Sequence, residues 1–103
     1  MLLTSTDAGQ IALEFLLADW NVPEDYRDWF IVYSSRLIGE SWYAIELGIA
    51  GFLDRWFMQV YDTGVCDPNY TFISPIAGHE GYTDLKDLPD IIADVLVAER
   101  NSR

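Results

Sequence analysis

At 103 residues, half of them hydrophobic and 15% aromatic, the chain can bury a core without cross-links and fits one α+β domain over residues 1–103. Seventeen acidic residues against six basic ones give a formal charge of −11, which repels nucleic acid and anionic lipid. The lone Cys66 excludes an internal disulfide, and no apolar run approaches the ~20 residues of a membrane span. Neither a basic n-region nor a long apolar h-region follows Met1, so a cytoplasmic location is expected.

The first element is a predicted helix over Asp7–Trp20. Ile11, Ala12, Phe15 and Leu16 fall at helical spacing, Thr4 or Thr6 can cap it, and Asn21 with Pro23 ends it. A polar connection over Val22–Asp28 follows, with room for one helical turn at Pro23. Trp29–Ile38 is dense in β-formers. Strict alternation puts Ile31, Tyr33 and Leu37 on one face and Phe30, Val32 and Arg36 on the other. The first set is assigned to the core, because Arg36 would be hard to bury unpaired.

Gly39-Glu40 turns the chain into the central pair of strands, Ser41–Ile49 and Arg55–Tyr61, joined by a loop containing Gly51 and Asp54. Paired antiparallel, they present Tyr43, Ile45, Leu47, Trp56, Met58 and Val60 on an apolar face. The opposite face carries Trp42, Ala44 and Glu46 beside Phe57, Gln59 and Tyr61. After a turn-rich loop over Asp62–Asn69, Tyr70–Ile73 reads as a short edge strand before Pro75. A second loop, Ala77–Lys86, precedes a helix with Asp87 as its cap and Pro89 in its first turn. Leu88, Ile91, Ile92, Val95 and Leu96 make its apolar stripe, with Asp94, Glu99 and Arg100 facing water. The expected fold is therefore a two-layer α+β domain: an N-terminal helix, a three- to four-stranded antiparallel meander and a C-terminal helix.

No motif of high specificity for catalysis or a cofactor is present. Asp62-Thr63-Gly64 matches the triplet of aspartic proteases, but it comes late in the chain and lacks the sequence that follows it there; Asp–Thr–Gly is also an ordinary turn. Asp62, Asp67 and Asn69 offer oxygens to a hard cation without matching a calcium-loop pattern. His79 is the only histidine, no zinc-ligand spacing surrounds it and no nucleophile is placed beside it, so it reads as a loop residue. Asp62 and Asp67 should raise the pKa of Cys66 and disfavour its thiolate. Glycine-rich phosphate-binding loops are absent. No cofactor and no metal is expected.

The aromatic content points elsewhere. Four tryptophans and eleven Phe or Tyr are more than one small core readily buries, and two helices can shield only one face of a sheet. The expected docking residues are Trp42, Phe57 and Tyr61, with Phe52 in the adjacent loop and Gln59 between the rings. Glu46, Asp54 and Asp62 form an acidic rim suited to a partner protein with a basic surface. The alternatives are that these rings complete a tight core or that they pair in a homodimer through the same face, and a small hydrolase or metal-dependent enzyme using Asp62, Asp67 and His79 is the competing class. In architecture the helix–sheet–helix order resembles small bacterial families that include toxin-immunity proteins. There too a Trp-Tyr strand, as at Trp42-Tyr43, precedes a short antiparallel strand. The resemblance is one of architecture and assigns no role to any residue; the docking reading itself suits an adaptor, an assembly factor or an immunity-type inhibitor.

Overall fold

The computed structural model describes residues 3–76 and 82–102. Its order is α1 (Ser5–Asp19), a 3-10 turn (Glu24–Trp29), then strands β1 (Phe30–Ile38), β2 (Trp42–Ile49), β3 (Arg55–Tyr61) and β4 (Thr71–Ile73). A second 3-10 turn (Thr83–Leu85) and helix α2 (Asp90–Asn101) complete the chain. The strands form one antiparallel sheet in the order β1-β2-β3-β4, a simple meander with β4 at one edge. The architecture is the expected α+β arrangement.

Thr4 opens α1 with a reciprocal cap. Its hydroxyl accepts from the Asp7 N–H at 3.1 Å, and the Asp7 carboxylate accepts from the Thr4 N–H at 3.3 Å. At the far end Asn21 takes a positive φ of 54°, and Pro23 directs the chain away. The buried side of α1 is Ala8, Ala12, Leu13, Leu16 and Leu17, with Ile11 and Phe15 only partly covered. The apolar stripe is thus rotated from the expected one toward Leu13 and Leu17, a choice that a helix apolar on most sides leaves to the sheet beneath it. Gly9 permits the close crossing of α1 over β1: a Cβ there would lie 3.0 Å from Val32 Cγ1. The Ser35 hydroxyl donates to the Ser5 carbonyl at 2.6 Å, and the Tyr43 hydroxyl donates to the Leu3 carbonyl.

The central pair has the expected register, with Tyr43 opposite Val60, Ile45 opposite Met58 and Leu47 opposite Trp56. All six of these side chains are buried. Trp56 is the hub, its ring centroid 5.9 Å from that of Phe30 and 5.3 Å from that of Phe72.

Strand β1 corrects the expectation. Trp29 belongs to the preceding 3-10 turn, and a bulge interrupts the pairing between Val32 and Ser34. Before the bulge Phe30 and Val32 pair with Ile49 and Leu47 and face the helices, so Ile31 and Tyr33 lie outside. After it Leu37 pairs with Tyr43 on the inner face, and Arg36 pairs with Ala44 on the outer one. The inserted residue changes the parity of the strand, so both a buried Phe30 and an outward Arg36 are satisfied. Leu37 faces inward yet stays 50% exposed.

The C-terminal helix also begins differently. Asp87 does not cap it; α2 starts at Asp90 behind Pro89, whose φ and ψ are −54° and 144°. Leu88 is buried, its N–H donates to the Leu85 carbonyl at 3.1 Å, and a residue before proline is disfavoured in the helical region. Ile92, Val95 and Leu96 form the buried stripe.

Glu99 and Arg100, expected in water, are buried instead. Arg100 is 0% exposed and grips Asp54 in a bidentate pair at 2.7 and 2.8 Å; Asp54 is itself 1% exposed. Asp84, at the chain's return toward α2, accepts two further bonds from the same guanidinium at 3.1 and 2.9 Å. Burial disfavours the charged guanidinium, but these two carboxylates more than compensate and raise its pKa overall. Beside it, Trp56 Nε1–H donates to the Glu99 carboxylate at 2.5 Å. The end of α2 is therefore fastened to β3 and the β2–β3 loop by buried polar groups. Replacing Arg100 by leucine leaves two carboxylates without their cation, one of them buried. This should cost about 3–5 kcal/mol, read as a lower urea midpoint with an unchanged slope.

Candidate functional site

Both helices pack on one face of the sheet: α1 against β1, β2 and β3, and α2 against β4. The opposite face has no covering element among the described residues. Its positions follow from the register. Trp42, Ala44, Glu46 and Gly48 run down β2, flanked by Ile38, Arg36, Ser34 and Ile31 of β1 and by Tyr61, Gln59, Phe57 and Arg55 of β3. Thr71 and Ile73 extend it onto β4. Phe57 is 40% exposed and Tyr61 38%, and Ile31, Tyr33 and Ile73 are open to a similar or greater degree. Trp42 is half-buried.

One end of this face is rigidly built. Arg55 stacks over the Tyr33 ring with its guanidinium carbon 3.9 Å from the centroid. Its Nε donates to Glu46 Oε2 at 3.1 Å, and one terminal nitrogen donates to the carbonyls of Phe52 and Asp54 at 2.6 and 2.9 Å. Gly48 is required beneath them, since a Cβ would come within 2.7 Å of Tyr33 and 2.9 Å of the Asp54 carbonyl. The small residue at Gly48 thus makes a space that Tyr33 and Arg55 fill. Ala44, four residues earlier on the same strand and face, makes a second space that no side chain fills. The result is an open hollow of about 290 Å³, walled by Trp42 and Phe57 and edged by Arg36, Glu46 and Gln59.

Five of the expected docking residues, Trp42, Glu46, Phe57, Gln59 and Tyr61, come together on this face. Asp62 is exposed at its end, its N–H donating to the Ser41 carbonyl at 2.9 Å. Phe52 is partly buried against the core in the β2–β3 loop. Asp54 does not belong to the rim: it is committed to Arg100 and closed to solvent. Ile31 and Tyr33, assigned to the core from the sequence, share the outer face with Arg36 because of the bulge in β1, and Arg36 was not counted among the docking residues. The single charged residue in the run Phe30–Ile38 was the available signal for Arg36.

The residues considered for catalysis are differently placed. Asp62-Thr63-Gly64 forms a turn in which Gly64 has a φ of 90° and donates to the Tyr61 carbonyl at 2.8 Å. Asp67 is engaged locally, accepting from the Asn69 N–H at 2.9 Å and from the Tyr61 hydroxyl at 3.2 Å. That bond and the Asp67 charge raise the Tyr61 pKa. Among the described residues no three His, Cys, Asp or Glu side chains converge as a metal site. His79 lies outside the described residues. Cys66 is buried, and burial, aided by the Asp67 charge, pushes its thiol from 9.0 up to about 11. No helix among the described residues is long and apolar enough to cross a membrane. Comparison with protein-family models, with curated proteins and with solved structures gave no match.

The raised thiol pKa fixes a sign for alkaline stability. The unfolded chain releases the Cys66 proton first, so the contribution is complete below pH 9 and is lost as pH climbs through about 11. Tyr70, whose pKa burial and its bond to Asp19 also raise, adds to the loss above pH 10. Urea melts between pH 8 and 11 should show Cys66→Ser losing about 2 kcal/mol less than the wild type over that span.

Proposed function

We propose that this chain is a small non-catalytic protein-binding domain, an adaptor, assembly factor or immunity-type inhibitor, that docks a partner on the uncovered face of its sheet. The observation that carries the reading is the concentration of Trp42, Phe57, Tyr61, Tyr33 and Ile31 on a face that no helix among the described residues covers. Aromatic anchors interleaved with a few polar groups are what protein-binding surfaces are enriched in. A rigid sheet presents them with little ordering cost on association. The charge of −11 favours a partner with a basic surface and speeds their encounter. Asp62 and Asp67, at the Tyr61 end of the face, supply acids at its rim. The single cysteine suits a reducing compartment such as the cytoplasm.

Phe57→Gln provides the test, because the side chain lies on the outer face and its loss leaves the core intact. Affinity capture from the native cell should retain a discrete basic protein with the wild type, and lose it at least tenfold with Phe57→Gln at unchanged circular dichroism. An Asp94→Asn variant, on the exposed side of α2, should capture as the wild type does. Equal capture by Phe57→Gln would contradict docking at this face. Concentration-dependent dimerisation abolished by Phe57→Gln, with no other protein retained, would assign the face to a second copy instead.

A further inference from the structure

The charges on the outer face run against those of the whole molecule. Seventeen acids and six bases make up the chain, yet the outward strand positions carry two cations, Arg36 and Arg55, and one anion, Glu46. Glu46 and Arg55 satisfy each other, and Arg55 is further fixed by two backbone carbonyls. Arg36 is different: among the described residues it enters no ion pair, although Arg27, Arg55 and Arg100 all do. It is exposed and sits directly across from Ala44, at the edge of the hollow. An arginine left unpaired in so acidic a chain, beside a space that nothing fills, is a prepared contact for an anion.

The chemistry of the hollow narrows the anion. Its volume of about 290 Å³ lies at the lower limit of small-molecule pockets, enough for one long side chain. Trp42 and Phe57 offer apolar walls to methylene groups. Ser34 beside Arg36 on β1, Gln59 on β3 and Thr71 on β4 add hydrogen-bond donors along the hollow. The acceptor-only Glu46 is turned to Arg55. Methylenes between two rings with a carboxylate at a guanidinium describe a glutamate side chain. An aspartate has one methylene where glutamate has two, a chain-terminal carboxylate is joined directly to a backbone Cα, and a lysine would meet Arg36.

We propose that the hollow over Ala44 receives a glutamate side chain of the partner protein, with Arg36 as the residue that recognises its carboxylate. This rests on the docking reading above and sharpens it: basic groups of the partner meet Asp62 and Asp67 at the rim, while one acidic side chain fixes the register at the centre. A cationic site inside an otherwise acidic surface disfavours partners that are merely basic and favours one that brings a carboxylate to it, which is how a charged protein acquires specificity as well as a fast encounter.

Three blocked peptides test this on the full chain without the partner: acetyl-Gly-Glu-Gly-amide, acetyl-Gly-Lys-Gly-amide and acetyl-Gly-Gly-Gly with a free terminus. The readout is the indole N–H resonance of Trp42 during titration at millimolar concentrations, assigned with Trp42→Phe. The glutamate peptide should shift it at the lowest concentration. Arg36→Gln should weaken that response about threefold or more, Arg36→Lys should retain most of it, and added salt should reduce it. Ala44→Leu, which fills the hollow from an outward position, should abolish it. A stronger response to the lysine peptide or the free terminus would overturn the assignment, as would no response to any peptide or indifference to Arg36→Gln. Partner capture that depends on Phe57 but not on Arg36 would leave the docking face standing and remove the glutamate anchor alone.

Discussion

Both helices are tied to the same side of the sheet, and the character of the other side follows from that constraint. Helix α1 is held by the close crossing at Gly9, the Ser35 and Tyr43 hydroxyls and a buried row from Ala8 to Leu17. Helix α2 is fastened by Arg100 on Asp54 and by Trp56 on Glu99, buried contacts that fix its position more narrowly than apolar packing does. With four strands and two helices so committed, the rings of Phe57 and Tyr61 have no element of the described chain to cover them. A sheet covered on one side only can leave its second face polar, as many antiparallel sheets do. Here that face is instead rich in aromatics, which is the feature behind the proposed docking.

Much of this was legible in the residues. Period-two alternation through Tyr43, Ile45 and Leu47, matched by Trp56, Met58 and Val60, specified the central pair and its faces, because a shift by one residue would bury Glu46 and Gln59 and expose Trp56. Turn chemistry at Gly39 and Gly64 marked the hairpin ends. The bulge in β1 was not legible: it depends on how β1 meets β2 across space, and no local residue announces it. Its consequence for the proposed docking is direct, since it lets Tyr33 and Arg36 lie together on the outer face. The buried pairing of Arg100 with Asp54 was equally hidden. An acid in a loop and a base 46 residues later look solvated until the fold closes. Reading Asp54 as a rim acid was the error that followed from this.

The charge of the chain has two scales. At long range the net −11 sets which molecules approach and how fast. At contact range the uncovered face is nearly balanced, with Glu46 and Arg55 joined and Arg36 left over. Composition alone supports only the first statement. The second needs the register, because it depends on which of six bases the strands turn outward. The paired small residues of β2 make the same point. Gly48 and Ala44 are alike in sequence, but one is roofed by Tyr33 and Arg55 and the other is open.

The most direct measurement of the central claim is hydroxyl-radical footprinting of the full chain, dilute and free, then saturated with its captured partner. Free protein should be labelled at Tyr33, Phe57 and Tyr61, and spared at Tyr43 and Trp56 on the helix-covered side. Complex formation should protect the first three while leaving Tyr82, packed at the C-terminal end of α2, as it was. Protection of Phe57 and Tyr61 already in the dilute free protein, or labelling unchanged by the partner, would contradict the account.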